Sequence, residues 1–198
     1  MGLYELMVFL HVVAAVALLS GSVLASPAVR AAVRRAQTTQ EMRAYLAIGR
    51  PLLVLEPVSA ILLLATGVYL TTTAGFWALG WIQASLAAWV VNAGVAATLV
   101  KPAISGLAAV VKTSPDGDVG PHLDSLRWSD RWSIGGDMLL ANDAATLYLM
   151  VVKPDLAGAL ALLVGANLVI SGVRAARHGL ARITPRPTDS PTRGPTSP

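Results

Sequence analysis

The chain has 198 residues, of which 55% are apolar and 13% charged, with a formal net charge of +4 and no cysteine. So few charges cannot coat a water-soluble domain of this size, where about a quarter of residues is usual, and the composition points to lipid as the solvent. The cations lie in short blocks without interleaved aromatic residues, which excludes a nucleic-acid surface, and the lack of cysteine excludes disulfides, thiolate metal sites and cysteine nucleophiles.

Five apolar segments approach the roughly 20 residues needed to cross a bilayer core: Leu3–Ala25, Leu52–Thr71, Ala78–Val100, Ile134–Val152 and Leu156–Val173. In the first, Val23-Leu24-Ala25 before Ser26 has the look of a signal-peptidase site. A secretory signal opens on a basic region, however, and here the only charged side chain before the apolar run is Glu5, while the arginines follow it. That order predicts an uncleaved helix entering from outside. The second and third segments are nearly free of charge. The fourth carries Asp137, Asn142 and Asp143, and the fifth only Asn167 as a strongly polar group.

The cations set the expected topology, because cytoplasmic loops carry an excess of lysine and arginine. With five spans, one side receives Arg30, Arg34, Arg35, Arg43 and Arg50 in the first loop. It also receives Lys101, Lys112, Arg127 and Arg131 in the second, and Arg174, Arg177, Arg182, Arg186 and Arg193 in the tail; the other side keeps Lys153 alone. Dropping the fourth span would destroy this asymmetry. The sequence therefore predicts an all-α, polytopic transmembrane helical bundle over residues 1–183. It has five spans, the N-terminus outside and the C-terminus cytoplasmic, and residues 184–198 as a disordered cytoplasmic tail. Trp77, Trp81, Trp128 and Trp132 fall where an interfacial aromatic belt belongs. Thr113 to Pro121 is a breaker-rich loop.

Ionisable residues inside spans are the first functional candidates, since each costs about 2.5 to 3.5 kcal/mol on insertion scales. With a rise of about 1.5 Å per residue, His11 lies roughly 12 Å from the outer edge of its span and Asp143 about 13 Å from the outer edge of its own. The two are expected to meet near the midplane, as a ligand-orienting or proton-relaying pair or as a structural interhelical bond. Glu56 and Asp137 fall about 22 Å from the outer side, with Asn92 at similar depth. They are expected as a cytoplasmic-side acidic tier in helix first turns, with Arg50 beside Glu56 and Arg131 beside Asp137. Met7 lies one turn before His11, and Met150 lies towards the outer end of the fourth span. His and Met together can hold copper or haem iron, although His122 and His178 lie outside the spans. No phosphate loop, His-Glu-x-x-His or Gly-x-Ser-x-Gly pattern is present. Ser20-Gly21-Ser22 and Gly135-Gly136 read as close helix-packing points.

Several short stretches resemble one bacterial integral-membrane family of unknown function, DUF2269: Phe9 to Ala15, Pro57 to Tyr69 with its Ala65-Thr66-Gly67, Gly80-Trp81-Ile82, and Leu149 to Pro154. The likeness covers residues 3 to 155. That family is distantly similar to the copper-resistance D proteins and the HemJ-type protoporphyrinogen oxidases, which share a histidine in the first span. This resemblance implies a haem b or copper ligand at His11. The first span here continues Leu19-Ser20-Gly21-Ser22 and lacks a Trp-x-Gly-Gly-like stretch. The expectation is a cell-membrane accessory or interaction protein, partnered by the bilayer and by another membrane protein or a second copy, with no catalytic residue assigned. The alternative is a haem- or copper-handling redox or transport protein using His11 and Met7.

Overall fold

The computed structural model describes residues 2–183, with side chains described through Ala176; the expected tail, 184–198, lies outside the described residues. The helices are α1 (Leu3–Leu19), α2 (Ser26–Arg35), α3 (Thr39–Gly49), α4 (Leu52–Ala74), α5 (Gly80–Val95), α6 (Lys101–Thr113), α7 (Pro121–Arg127), α8 (Asp130–Val152) and α9 (Leu156–Ile183). The chain is an all-α helical membrane bundle. Four continuous columns are long and apolar enough to cross a membrane: Leu3–Arg35, Thr39–Ala74, Gly80–Thr113 and Leu156–Ala176. Helix α8 falls short of that composition because Asp137, Asn142 and Asp143 lie within it. Even so it runs end to end, from Trp132 in one core to Leu149 in another.

Two of these columns are wider than a plain α-helix at one point, and proline explains where. Pro27 and Pro102 have no N–H for the carbonyl four residues earlier, and the ring crowds it. Those carbonyls belong to Val23 and Thr98, which lie inside the two π-helical segments Ser20–Ala25 and Ala96–Val100. Helix α8 packs against both widened turns. Gly135 lets it approach, since a Cβ there would meet Val100 Cγ2 at 2.7 Å, and Gly136 faces the Arg30 guanidinium.

The first three columns run 33 to 36 residues, about 50 Å, against a bilayer core of about 30 Å. The excess forms a cap at the arginine-rich end. The expected first loop is thus mostly helix, α2 and α3, broken only around Ala36–Thr38. Thr38 bridges to Asp118 across the cap, and Thr39 N donates to Gly117 O at 2.8 Å. Within the cap, Val33, Met42, Leu107, Val111, Leu123 and Trp132 form a core of large side chains. There each fully buried aliphatic contributes about 1.5 to 3 kcal/mol by leaving water. The membrane part is packed differently. Its buried residues are mainly Ala14, Ala84, Ala88, Ala141, Ala145 and Ala159 with Ser59, Thr66 and Asn142, Leu149 being the main large exception. Between lipid-solvated helices there is no hydrophobic gain, so small residues that allow close backbone approach take the interior. Ile61, Val164 and Leu168 face outward, 62%, 58% and 68% exposed.

At the opposite end, Lys153 closes α8 in a left-handed conformation (φ 52°), and its Nζ lies 5.9 Å from the Trp81 ring centroid. Every other cation with a described side chain belongs to the cap end, as the charge asymmetry predicts.

Candidate functional site

Polar groups occupy three levels along the bundle. The level farthest from the cap belongs to α1 and α4, which make the most extensive helix pair. His11 Nδ1 lies 2.9 Å from Thr66 Oγ1. The Thr66 hydroxyl donates to Leu62 O at 2.7 Å, so it accepts from the ring, which assigns the proton to Nδ1 and the lone pair to Nε2. Gly67 leaves the ring its space, as a Cβ there would meet His11 Cε1 at 3.1 Å. The motifs around His11 and Ala65-Thr66-Gly67 are therefore one contact. An interhelical hydrogen bond in a membrane is worth about 0.6 kcal/mol. Thr66→Val is expected to lower the thermal midpoint in detergent only slightly, whereas Gly67→Val, which drives branched carbons into the ring, should lower it by more. Equal midpoints for both variants would contradict this packing.

The middle level joins all four columns and α8. Ser26 Oγ donates to Glu56 Oε1 at 2.6 Å, and the Glu56 side chain lies over Gly21, where a Cβ would come within 2.8 Å of Glu56 Cγ. Helix α8, which carries Asp143, packs against the same widened turn. Asn92 Nδ2 donates to Asp143 Oδ1 at 2.8 Å, Asn142 Nδ2 to Asn92 Oδ1 at 2.8 Å, and Asn167 Nδ2 to Asn142 Oδ1 at 2.6 Å. The Ser22 hydroxyl faces Asp143 but makes no hydrogen bond of normal geometry, and its oxygen is buried. Among the described residues no lysine or arginine pairs with Glu56 or Asp143.

The level nearest the cap is an ion pair. Arg30 Nη2 meets Asp137 Oδ1 at 2.8 Å, and Arg30 Nη1 donates to the carbonyls of Ser133 (3.2 Å) and Trp132 (3.4 Å). One turn further on, Arg34 donates to Ser133 Oγ and stacks on Trp128 at 4.8 Å from the ring centroid.

These levels differ from the sequence expectation. His11 and Asp143 have separate partners, because Asp143 is level with Ser22 rather than His11, a rise of about 16 Å along the first column. Matching depths from the outer helix ends treats those ends as flush. Instead the α1–α4 pair is offset lengthwise from α8. Glu56 is held by Ser26 instead of Arg50, and Asp137 by Arg30 instead of Arg131. The amide chain Asn92–Asn142–Asn167 was visible only as single polar residues, since nothing in spacing joins three separate spans.

The family described as "Predicted integral membrane protein (DUF2269)" matches residues 5–154. The chain belongs to this family. The matched stretch takes in α1 to α8 and thus all three polar levels except Asn167. No curated protein and no solved structure matches, so the wider likeness to copper-resistance D and HemJ-type proteins has no further support. His11 offers one nitrogen, Nε2, with Met7 a turn away. Among the described residues no group of three His, Asp or Glu side chains gathers around it or elsewhere. That donor set is short of a closed copper site, and it gives a haem a single axial histidine per chain.

Proposed function

We propose that this chain is a cell-membrane protein whose working part is the Glu56–Asp143 carboxyl pair, carrying one exchangeable proton within the bundle as an accessory or transport-linked subunit. One observation carries the reading: two carboxyls on helices that pack against the same widened turn of the first column, Glu56 bonded to the Ser26 hydroxyl and Asp143 to the Asn92 amide, without a cationic partner among the described residues. An uncompensated charge in such surroundings is strongly disfavoured, so one positive ion belongs with the pair. The amide oxygens of Asn92 and Asn142 already accept hydrogen bonds from their neighbours. With two acidic side chains and no third His, Asp or Glu gathered beside them among the described residues, the level offers a metal cation few anionic ligands, which favours the proton. The charge distribution supports five passes with the amino end outside.

Infrared spectroscopy of the purified protein tests it. A protonated-carboxyl band that shifts in heavy water is expected in the native chain, reduced in Glu56→Gln or Asp143→Asn, and absent from the double variant. An unchanged band in the double variant, or no band in the native chain, would refute the assignment; loss of the band on adding sodium would give the pair to that ion. The haem b or copper reading rests on the Nε2 lone pair of His11. It requires a Soret band or bound copper that His11→Ala abolishes and Glu56→Gln leaves in place, so the two readings separate in one set of variants.

A further inference from the structure

Where the first column leaves the apolar region, an open groove of about 370 Å³ is lined by Pro27, Arg30, Ala31, Arg34, Arg35 and Trp128. Its charge is unbalanced. Arg30 is neutralised by Asp137, and Arg174, outside the lining, by Asp130 at 2.7 Å. Among the described residues Arg34 and Arg35 have no carboxylate partner, and Arg174 Nη1 is buried without a hydrogen bond. Arg34 is pre-set, its guanidinium fixed by Ser133 Oγ, the Arg127 carbonyl and the Trp128 face. Arg35 is exposed. On the same face of the column, Leu24, Ala28 and Ala31 are exposed at helical spacing and lead back from Arg35 to the lipid-facing surface.

We infer that this groove is a site for an anionic phospholipid, with the phosphate between Arg34 and Arg35 and an acyl chain along Ala31, Ala28 and Leu24. Planar guanidinium groups match phosphate oxygens in pairs. Basic pockets between helices on the arginine-rich side of a membrane are where anionic head groups bind. The apolar track selects a lipid over a soluble phosphate, which has no use for it. Trp128 forms the groove wall and reports on its occupant.

The test uses the full chain in bilayer nanodiscs and follows quenching of Trp128 fluorescence, taken as the difference between native protein and Trp128→Phe. Phosphatidylglycerol brominated in its acyl chains, diluted into phosphatidylcholine, is expected to quench Trp128 well beyond its mole fraction. Arg35→Gln should weaken that preference by about five-fold, the worth of one interfacial arginine. Arg34→Lys keeps the charge but loses the fork and the stack, and should weaken it as well. Equal quenching by brominated phosphatidylcholine would overturn the proposal. So would an unaltered preference in Arg35→Gln, which is exposed and leaves the cap core intact. Relief of quenching by inorganic phosphate would reassign the groove to a soluble anion.

Discussion

Gly80→Ala is expected to destabilise the bundle by about 3 kcal/mol, the upper range for forcing atoms into a packed interior. The reason is backbone against backbone. A Cβ on Gly80 would lie 2.2 Å from Leu156 N and 2.5 Å from Leu156 Cα, and no side-chain rotation relieves that. The first turns of α5 and α9 would have to separate, opening the contact of Ala84 and Ala159 with Leu149. Thermal unfolding in mild detergent measures the effect, with Gly94→Ala as the control, because nothing lies within 4 Å of a Cβ at Gly94. Coincident midpoints for the two variants would disprove the close approach.

Removing Arg30 should be as costly. Arg30→Met leaves Asp137 without its cation and the Trp132 and Ser133 carbonyls without their donor. The two side chains are only 13% and 24% exposed, and breaking a buried pair from one side costs about 3 to 5 kcal/mol. Most of that is the stranded charge. Adding Asp137→Asn to Arg30→Met should therefore recover a large part of the loss, so that the double variant is more stable than Arg30→Met alone. A double-mutant cycle in the same detergent reads the coupling, and strictly additive effects would mean that the pair contributes nothing.

The bundle was legible because four of the spans announce themselves as about twenty apolar residues, with breakers between Thr113 and Pro121, while the fourth in chain order, interrupted by Asp137, Asn142 and Asp143, was read from the cations gathered, Lys153 apart, at one end. The cap was harder to see. Val29 and Val33 in α2, and Leu107 and Val111 in α6, recur four apart, a helical spacing, but lie among arginines and lysines that read as loop. The prolines marked the widened turns in principle, since Ser26-Pro27 and Lys101-Pro102 each follow an apolar run. What no sequence pattern carried is the lengthwise offset between α1–α4 and α8. That offset gives Asp143 the partner Asn92 instead of His11, and the close approaches at Gly21, Gly135 and Gly136 that accompany it are a property of three-dimensional fit.

The two kinds of core also impose an order on biogenesis. Each apolar column can enter lipid as it emerges from the ribosome, because a helix satisfies its own backbone. The cap cannot, since its centre draws on chain from Val33 to Trp132. A nascent chain halted before Pro121 would hold three inserted helices whose protruding ends still lack Leu123 and Trp132, and would show water-exposed aliphatic surface to any chaperone. Synthesis of the α7–α8 stretch is the moment at which that surface closes.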